Sequence, residues 1–276
     1  MDYGLIYEVL SMTSLRTIGF FDSGVGGLSV MKEVRRLLPA EDLVYFADSA
    51  HCPYGSRPVE IIRGRAYAIC DFLIGHGVKL IVIASNTTSV AALDAVREKY
   101  SVPVIGVEPA VKPAAAATVN GKIGVIATGV TLAGERFDSL VKRFGEGLEV
   151  FTQPCPGLVE IVESGRWDNE ETEKLVGGYL NKLLDRGVDT VILGCTHYPF
   201  LRPVIEKLAG RGIKVIDGGE GIARQVARVL DNECLAADAK SAGGESFFTS
   251  GDPELVAPVL RLLWGKPDLQ VKKKEV

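Results

Sequence analysis

Two short segments of the sequence resemble each other, and each carries a residue that could act as a nucleophile or a base. Residues 80–87 read LIVIASNT and residues 191–198 read VILGCTHY. Each is an apolar, strand-like run that leads to a small residue, then to Ser85 or Cys195, and then to a helical pattern. Open α/β sheets bind ligands at the carboxyl ends of their strands. Two such edges that face each other could hold one small molecule between Ser85 and Cys195 and act on both faces of one carbon.

The strongest local signal is Cys195 followed two residues later by His197. A free cysteine has a pKa of about 8.5, so a thiol that must ionise near pH 7 needs a nearby histidine, a helix N-terminus or both. His197 is one of three histidines in the chain. The alternative is a buried cysteine at a strand end, with His197 capping or packing. The similar segment at residues 84–87 favours a functional site.

A glycine-rich segment, DSGVGGL at residues 22–28, follows the first predicted strand. Glycines at this place can let backbone amides approach an anion at a helix N-terminus. The spacing is not G-x-G-x-x-G and no acidic residue convincingly occupies the ribose-binding position, so a dinucleotide site is poorly supported. Asp22 is better explained as the cap of the following helix. A carboxylate at a strand end could also orient a thiol or hold an ammonium group.

The loop at residues 50–56, AHCPYGS, is short and polar. Its proline and glycine are ordinary turn residues, whereas Tyr54 and the amide of Gly55 could bind a carboxylate. His51 and Cys52 resemble half of a metal site. No second His/Cys pair stands at a suitable spacing, so no metal is predicted.

Three glutamates have alternative interpretations. Glu160 and Glu163 share one face of a helix at spacing i, i+3, and solvent exposure is the default expectation for both. Glu108 follows a predicted strand end and marks either a domain junction or a carboxylate that faces the site.

Composition narrows the class of protein. The 276 residues, 47% of them hydrophobic, suffice for two α/β domains with full cores. A net charge of −4 argues against a nucleic-acid partner, and the lysines at 272–274 are expected in a solvated tail. No apolar run approaches the ~18 residues of a membrane span, and no signal peptide is predicted. Five cysteines without zinc-finger spacing indicate reduced thiols in a cytoplasm.

Strand and helix patterns alternate along the chain, which predicts an α/β fold with mainly parallel sheets covered by helices on both sides. The predicted strands are 17–22, 43–48, 79–84, 102–107, 122–127, 148–152, 190–194, 214–217 and 246–249. The strand-to-helix switch points fall into two groups, one with Asp22, Asp48 and Ser85 and the other with Thr128, Cys155 and Cys195.

Two similar doubly wound lobes are therefore expected, with the site in the cleft between them. The first lobe is assigned to residues 14–108 and 220–268, and the second to residues 109–219. Residues 1–13 and 269–276 are assigned as tails, and residues 5–10 would form a small extra helix or be disordered.

Taken together, these motifs resemble those of the glutamate racemases, in the cofactor-independent aspartate/glutamate racemase superfamily. The resemblance runs from about residue 18 to about residue 263. It rests on five segments in the family's order: FDSGVGG at 21–27, PYG at 53–55, ASNT at 84–87, CPGLVEIVE at 155–163 and GCTHYP at 194–199.

The resemblance implies two thiols that face the Cα of glutamate from opposite sides, one removing the α-proton and the other returning a proton, without pyridoxal phosphate or metal. By motif position Cys195 is one base, Asp22 and His197 assist the thiols, and Glu163 is a further candidate. The implied substrate-binding residues are Asp22, Ser23, Tyr54, Gly55, Asn86, Thr87, Thr196 and His197. The implied product is D-glutamate for peptidoglycan in a bacterial cytoplasm, with no nucleic-acid or membrane partner. A homodimer stays an option, because an apolar helix face fits either a core or an interface.

One position departs from the family pattern: Ser85 stands where the family has its first catalytic cysteine. A serine hydroxyl is a far weaker acid than a thiol and a poor base without a strong partner. Three explanations are open. The serine is a substitution that was introduced to trap a bound ligand, or it is natural and Asp22 or a water relays the proton. In the third, the protein has changed to a reaction that needs a proton on only one face of the substrate. The leading hypothesis is a glutamate racemase impaired at its first base. The alternatives are a one-thiol decarboxylase or racemase of another small carboxylic acid, and a non-catalytic glutamate-binding scaffold.

Overall fold

The computed structural model describes residues 17–238 and 242–276. The helix predicted at residues 5–10 and the tail at residues 1–13 lie outside this part of the chain. The strands of the described part are β1 (Thr17–Asp22), β2 (Asp42–Ala47), β3 (Val78–Ile83), β4 (Val104–Gly106), β5 (Lys122–Ala127), β6 (Glu149–Pro154), β7 (Thr190–Leu193), β8 (Lys214–Ile216), β9 (Glu245–Thr249) and β10 (Val271–Lys273).

Helices alternate with these strands. They are α1 (Leu28–Leu37), α2 (Val59–Gly75), α3 (Asn86–Lys99), α4 (Val111–Ala117), α5 (Gly129–Leu132), α6 (Glu135–Phe144), α7 (Leu158–Glu163), α8 (Glu170–Leu184), α9 (Arg202–Ala209), α10 (Gly219–Asn232) and α11 (Pro253–Trp264). No helix among the described residues is long and apolar enough to cross a membrane.

The strands form two parallel sheets of related topology. One has the order β10-β9-β2-β1-β3-β4 and the other the order β6-β5-β7-β8, and each recorded ladder is parallel. The order β2-β1-β3-β4 thus recurs as β6-β5-β7-β8. Strands β3 and β7, which precede Ser85 and Cys195, hold equivalent places. The predicted two-lobed α/β architecture is confirmed; the exact lobe boundaries stay predictions.

The prediction of a C-terminal tail from residue 269 is wrong. Val271–Lys273 forms β10, which pairs in parallel with β9 at the edge of the larger sheet, and Leu269 is buried just before it. Lysines 272–274 are exposed. An edge strand needs only one neighbour and tolerates charged side chains, which explains why a polar segment that reads as a tail can close a sheet.

One continuous apolar cluster joins the two lobes. Ile18 and Phe20 of β1 belong to it together with Leu193 of β7 and Tyr198 just beyond that strand. Phe21 faces the opposite side of the larger sheet, in a separate cluster under α2 and α3. Strands buried on both faces are typical of parallel sheets. The shared cluster brings the carboxyl ends of the two sheets close together.

A buried ion pair anchors the start of β3. The Nζ of Lys79 lies 2.5 Å from a carboxylate oxygen of Glu41, and the two side chains are 1% and 3% exposed. Lys79 also donates to the carbonyl of Leu235 at 2.6 Å, and Glu41 accepts from the amide of Ala237 at 2.7 Å. The pair therefore ties the segment after α10 to the larger sheet.

Replacing Lys79 by methionine should destabilise the fold strongly, because it leaves Glu41 buried without a counter-charge. We expect Lys79→Met to lower the free energy of unfolding by about 3–5 kcal/mol, measured by urea denaturation. The matched control is Lys207→Met, which breaks an ion pair whose lysine is 63% exposed and should change the value by less than about 1 kcal/mol. Equal shifts in both variants would contradict the prediction.

Candidate active site

Cys195 and His197 follow β7 and are both buried. Gly194 lets β7 end tightly against β5, since a Cβ there would lie 2.9 Å from the Cβ of Ala127. The Sγ of Cys195 is 3.8 Å from Nδ1 of His197, within reach of a hydrogen bond to sulfur. The thiol and the imidazole are thus direct neighbours, as a functional pair requires.

Glu163, the last residue of α7, holds the other side of this imidazole. Its Oε1 lies 2.6 Å from Nε2 of His197 and also accepts from the amide of Val25 at 2.7 Å. The side chain is 20% exposed, so the expectation of solvent exposure is wrong for Glu163 and holds only for Glu160. Thiol, imidazole and carboxylate form a relay in which the third group orients the second.

The glycines at 24 and 26 make room for these side chains. A Cβ on Gly24 would lie 1.9 Å from a carboxylate oxygen of Glu163, and one on Gly26 would lie 2.2 Å from Nδ1 of His197. The amide of Val25 between them binds a carboxylate, as a glycine-rich loop can, but the carboxylate is that of Glu163. Close approach of the second lobe thus accounts for these two glycines.

Asp22 does not cap α1, contrary to the prediction. The cap position is Gly27, without a side-chain hydrogen bond. Asp22 Oδ1 accepts from the amide and hydroxyl of Ser23, at 2.6 and 3.2 Å, while Oδ2 accepts from the hydroxyl of Thr196 at 2.9 Å. Burial raises the pKa of Asp22 above 3.8, and the charge of His197 and the Thr196 bond oppose that rise.

Ser85 caps α3 and is 3% exposed. Its Oγ accepts from the amide of Thr88 at 3.3 Å, so the hydroxyl proton remains free to donate. Because β1 and β3 are adjacent, Ser85 and Asp22 end neighbouring strands. At the start of α3, the hydroxyl of Thr87 lies 3.1 Å from that of Thr128 in the other lobe.

The crevice between the lobes is nearly closed. Asn86, Cys195 and Thr196 line a cavity of about 20 Å³, enough for about one water molecule. A far larger cavity of about 890 Å³ lies beside α7 and α8, lined by residues such as Ile161 and Tyr179, and holds none of the predicted site residues. The small cavity, which Cys195 lines, has no room for a molecule much larger than water.

The side chain of Tyr54 turns away from the small cavity, whereas Glu108 lines it together with Asn86, Cys195 and Thr196. The hydroxyl of Tyr54 donates to the carboxylate of Asp48, which Arg65 also contacts at 2.7 and 2.9 Å. Burial raises the pKa of Tyr54. Glu108 lies 3.8 Å from Arg136 and is partly exposed, and its place on the cavity wall fits the prediction of a carboxylate that faces the site. Gly55 does reach the second lobe, since a Cβ there would lie 3.5 Å from Thr128.

Cys52 is a site residue that the sequence analysis considered only with His51 and then set aside. Its Sγ, a carboxylate oxygen of Glu163 and a ring nitrogen of His197 lie within 4.8 Å of one another. Burial raises the pKa of the Cys52 thiol to about 11, and a hydrogen bond with His197 opposes the rise. The neighbouring His51 turns instead to Asp48, at 3.1 Å. No spacing signal links these residues, which are far apart in sequence.

The comparisons with known proteins show the family. Residues 18–226 match the Asp/Glu/Hydantoin racemase family, and the chain belongs to that family. It is 50% identical over 252 residues to the glutamate racemase of Pseudomonas paraeruginosa, with 91% of this chain and 95% of that one covered.

Solved structures give the same result. A glutamate racemase isoform of Bacillus anthracis superposes with a TM-score of 0.86 at 34% identity, over 95% of this chain and 98% of that one. The Escherichia coli glutamate racemase, solved with L-glutamate and the activator UDP-MurNAc-Ala, superposes with a TM-score of 0.83 at 35% identity, over 94% and 97% of the two chains.

The pKa of the His197 imidazole should lie well above that of an ordinary histidine. Burial lowers its pKa, but hydrogen bonds with Cys195, Cys52 and Glu163 raise it well above 6.5. We expect Glu163→Gln to lower this pKa, measured by NMR titration of the histidine ring protons, with exposed His76 as the internal control. An unchanged pKa of His197 in the variant would contradict the prediction.

The raised pKa of His197 makes the stability of the fold depend on pH. Because the pKa of His197 is higher in the folded state than in the unfolded state, protonation of His197 stabilises the fold. This contribution to the free energy of unfolding is fully present below pH 6.5 and disappears as the pH rises through the raised pKa. The melting temperature of the parent protein should therefore exceed that of Glu163→Gln most at acidic pH, and the gap should shrink toward alkaline pH.

An alanine at position 26 should push His197 out of place. We expect Gly26→Ala to destabilise the fold by about 1–3 kcal/mol through overpacking and to shift the His197 ring resonances. The control is Gly178→Ala in α8, where a Cβ meets nothing within 4 Å and better helix propensity should be neutral or stabilising by up to about 1 kcal/mol. Unperturbed His197 resonances in Gly26→Ala would contradict the prediction.

Proposed function

We propose that this protein interconverts L- and D-glutamate by cofactor-independent proton transfer at Cα. The observation that carries the proposal is the relay of Cys195, His197 and Glu163 at the end of β7, with Ser85 at the equivalent place after β3. The names of similar proteins, and the L-glutamate bound in the Escherichia coli enzyme, support glutamate as the substrate. In a bacterial cytoplasm the product would supply D-glutamate to peptidoglycan.

On one face of the substrate, Cys195 is the base. Its thiolate takes the α-proton and leaves a carbanion, or its thiol gives a proton in the reverse direction. His197, 3.8 Å from Sγ, exchanges that proton with the thiol, and the carboxylate of Glu163 stabilises the charged ring. No pyridoxal phosphate or metal takes part in the proposed steps.

On the opposite face, Ser85 holds the position of the second base. The N-terminus of α3 favours negative charge there, but a hydroxyl still needs a partner. We assign that role to Asp22, which ends the neighbouring strand and whose burial raises its pKa, acting through Ser85 or a water. The weaker base on this side should make racemisation slow.

Substrate binding requires the lobes to part. The hydrogen bonds from Thr196 to Asp22, from Val25 to Glu163 and from Ser29 to Thr196, at 2.9, 2.7 and 2.8 Å, cross the crevice. We propose that glutamate replaces some of them, with its carboxylates and ammonium group held by side chains at the two edges. These are Asp22, Ser23, Asn86, Thr87, Thr196 and His197, with the Tyr54–Gly55 loop behind them.

A second candidate follows from Ser85 itself. A reaction that protonates one face only, such as decarboxylation of a malonate-type acid, needs a single thiol, and Cys195 would suffice. Retention of the groups suited to an amino acid makes this the weaker proposal.

Restoring a thiol on the Ser85 face should accelerate inversion. We expect Ser85→Cys to raise the rate by about 10²–10⁴-fold, the usual contribution of a general acid or base. L- and D-glutamate are incubated separately in D₂O, with loss of the α-proton followed by NMR and the enantiomer of each product determined. Cys195→Ser should abolish inversion, and Ser101→Cys, an exposed site, should change nothing.

The outcomes separate the candidates. Slow inversion that Ser85→Cys accelerates supports the proposed racemase. Exchange from one enantiomer without inversion, unchanged by Ser85→Cys, would contradict two-base chemistry. No exchange in either protein, together with turnover of a malonate-type acid, would favour the decarboxylase.

A further inference from the structure

Three potential metal ligands converge from distant parts of the chain. Cys52 lies on the loop after β2, Glu163 ends α7, and His197 follows β7. Each offers one ligand atom, and the three atoms lie within 4.8 Å of one another. Among the described residues this cluster combines a thiol, an imidazole and a carboxylate, and only part of it serves the proposed reaction.

The donor set suits a zinc-like cation. Zinc accepts sulfur, nitrogen and oxygen ligands, and sites with three protein ligands keep a fourth position open. Magnesium and calcium prefer oxygen ligands alone. Tetrahedral coordination at usual bond lengths needs ligand atoms about 3.4–3.6 Å apart, so the cluster must adjust by about 1 Å. Its 20%-exposed carboxylate and its loop cysteine are well placed to do so.

A second cavity reaches one of the three ligands, Glu163, from outside the substrate crevice. Glu163 lines a cavity of about 450 Å³ together with Val25, Ala50, Ser250 and Lys273. This cavity is separate from the one that Cys195 lines. The carboxylates of Asp22 and Glu163 both act electrostatically on Cys52 and favour a cation there, whereas Lys273 at the cavity wall opposes it.

We propose that Cys52, Glu163 and His197 bind a Zn²⁺-class divalent cation, which switches off the His197 relay. On binding, the Cys52 thiol releases its proton to solvent as the sulfur–metal bond forms, and a ring nitrogen of His197 donates its lone pair. Glu163 turns its oxygen from the ring to the metal. The coordinated ring can no longer exchange a proton with Cys195. Metal binding stands independently of the proposed function, whereas the inhibition rests on it.

Cobalt(II) is the probe, because a thiolate bound to it gives a near-ultraviolet charge-transfer band. The untagged, metal-free full chain is titrated with Co²⁺, and Zn²⁺ is then added to displace it. We expect the thiolate band and visible bands typical of four-coordinate cobalt. Cys52→Ser should weaken Co²⁺ binding by more than about tenfold, since loss of even a supporting group costs ~10–100-fold. Near-ultraviolet circular dichroism checks that the variant is folded.

Two other cysteine variants make the test specific. Cys234→Ser alters an exposed cysteine beyond α10 and should leave the band unchanged. A band that survives in Cys52→Ser but disappears in Cys195→Ser would place the metal on Cys195 and overturn the proposal. Absence of any thiolate band in the parent protein would overturn it as well.

Inhibition is measured separately, by deuterium exchange into glutamate. We expect Zn²⁺ to suppress exchange in the parent protein and in Cys234→Ser, with at least tenfold less sensitivity in Cys52→Ser. Equal sensitivity in Cys52→Ser would refute inhibition through this site. A protein that shows the Co²⁺ band but no exchange even without metal would contradict the proposed function and leave the metal site supported.

Discussion

A single carboxylate oxygen organises the centre of the molecule. Oε1 of Glu163 accepts from the ring of His197 within its own lobe and from the amide of Val25 in the other lobe. The first bond points Nδ1 at Cys195, and the second closes the crevice. Both require the loop of the first lobe to approach without side chains, which is why positions 24 and 26 have no room for a Cβ. The orientation of the His197 ring and the closure of the lobes thus depend on the same carboxylate oxygen.

The repeated strand order β2-β1-β3-β4 and β6-β5-β7-β8 places Ser85 and Cys195 at matching strand ends, as the proposed chemistry on two faces of one carbon requires. Ser85 and Cys195 occupy equivalent places, and the lobes face each other through their carboxyl edges. Their support is unequal, however. Cys195 has an imidazole and a carboxylate in line, whereas Ser85 has its helix N-terminus and, on the next strand, Asp22. The repeated strand order gives the two residues equivalent places, and the residues that surround them differ.

Local patterns predicted most of the fold. The alternation of apolar runs and helical segments placed Ser85 and Cys195 at strand ends, because strand burial and helix periodicity are properties of neighbouring residues. Local patterns could not predict which residues of the two lobes contact each other. Glu163 is predicted to be exposed because its partners are distant in sequence. For the same reason Cys52 was paired with its neighbour His51 and not with Glu163 and His197. Strand β10 was missed because an edge strand is held by backbone hydrogen bonds, which lysines neither favour nor prevent.

Closure changes the two sides of the site differently. Cys195, His197 and Glu163 belong to one lobe, so their relay survives when the lobes part. Asp22 instead loses its bond to Thr196 and gains water. Since burial is the main cause of its raised pKa, opening must lower that pKa and favour the charged form. When the crevice closes, burial raises the pKa of Asp22 again and favours its protonated form beside Ser85. The protonation state of Asp22 therefore depends on closure, whereas the hydrogen bonds of His197 with Cys195 and Glu163 lie within one lobe and are joined to the first lobe through the amide of Val25.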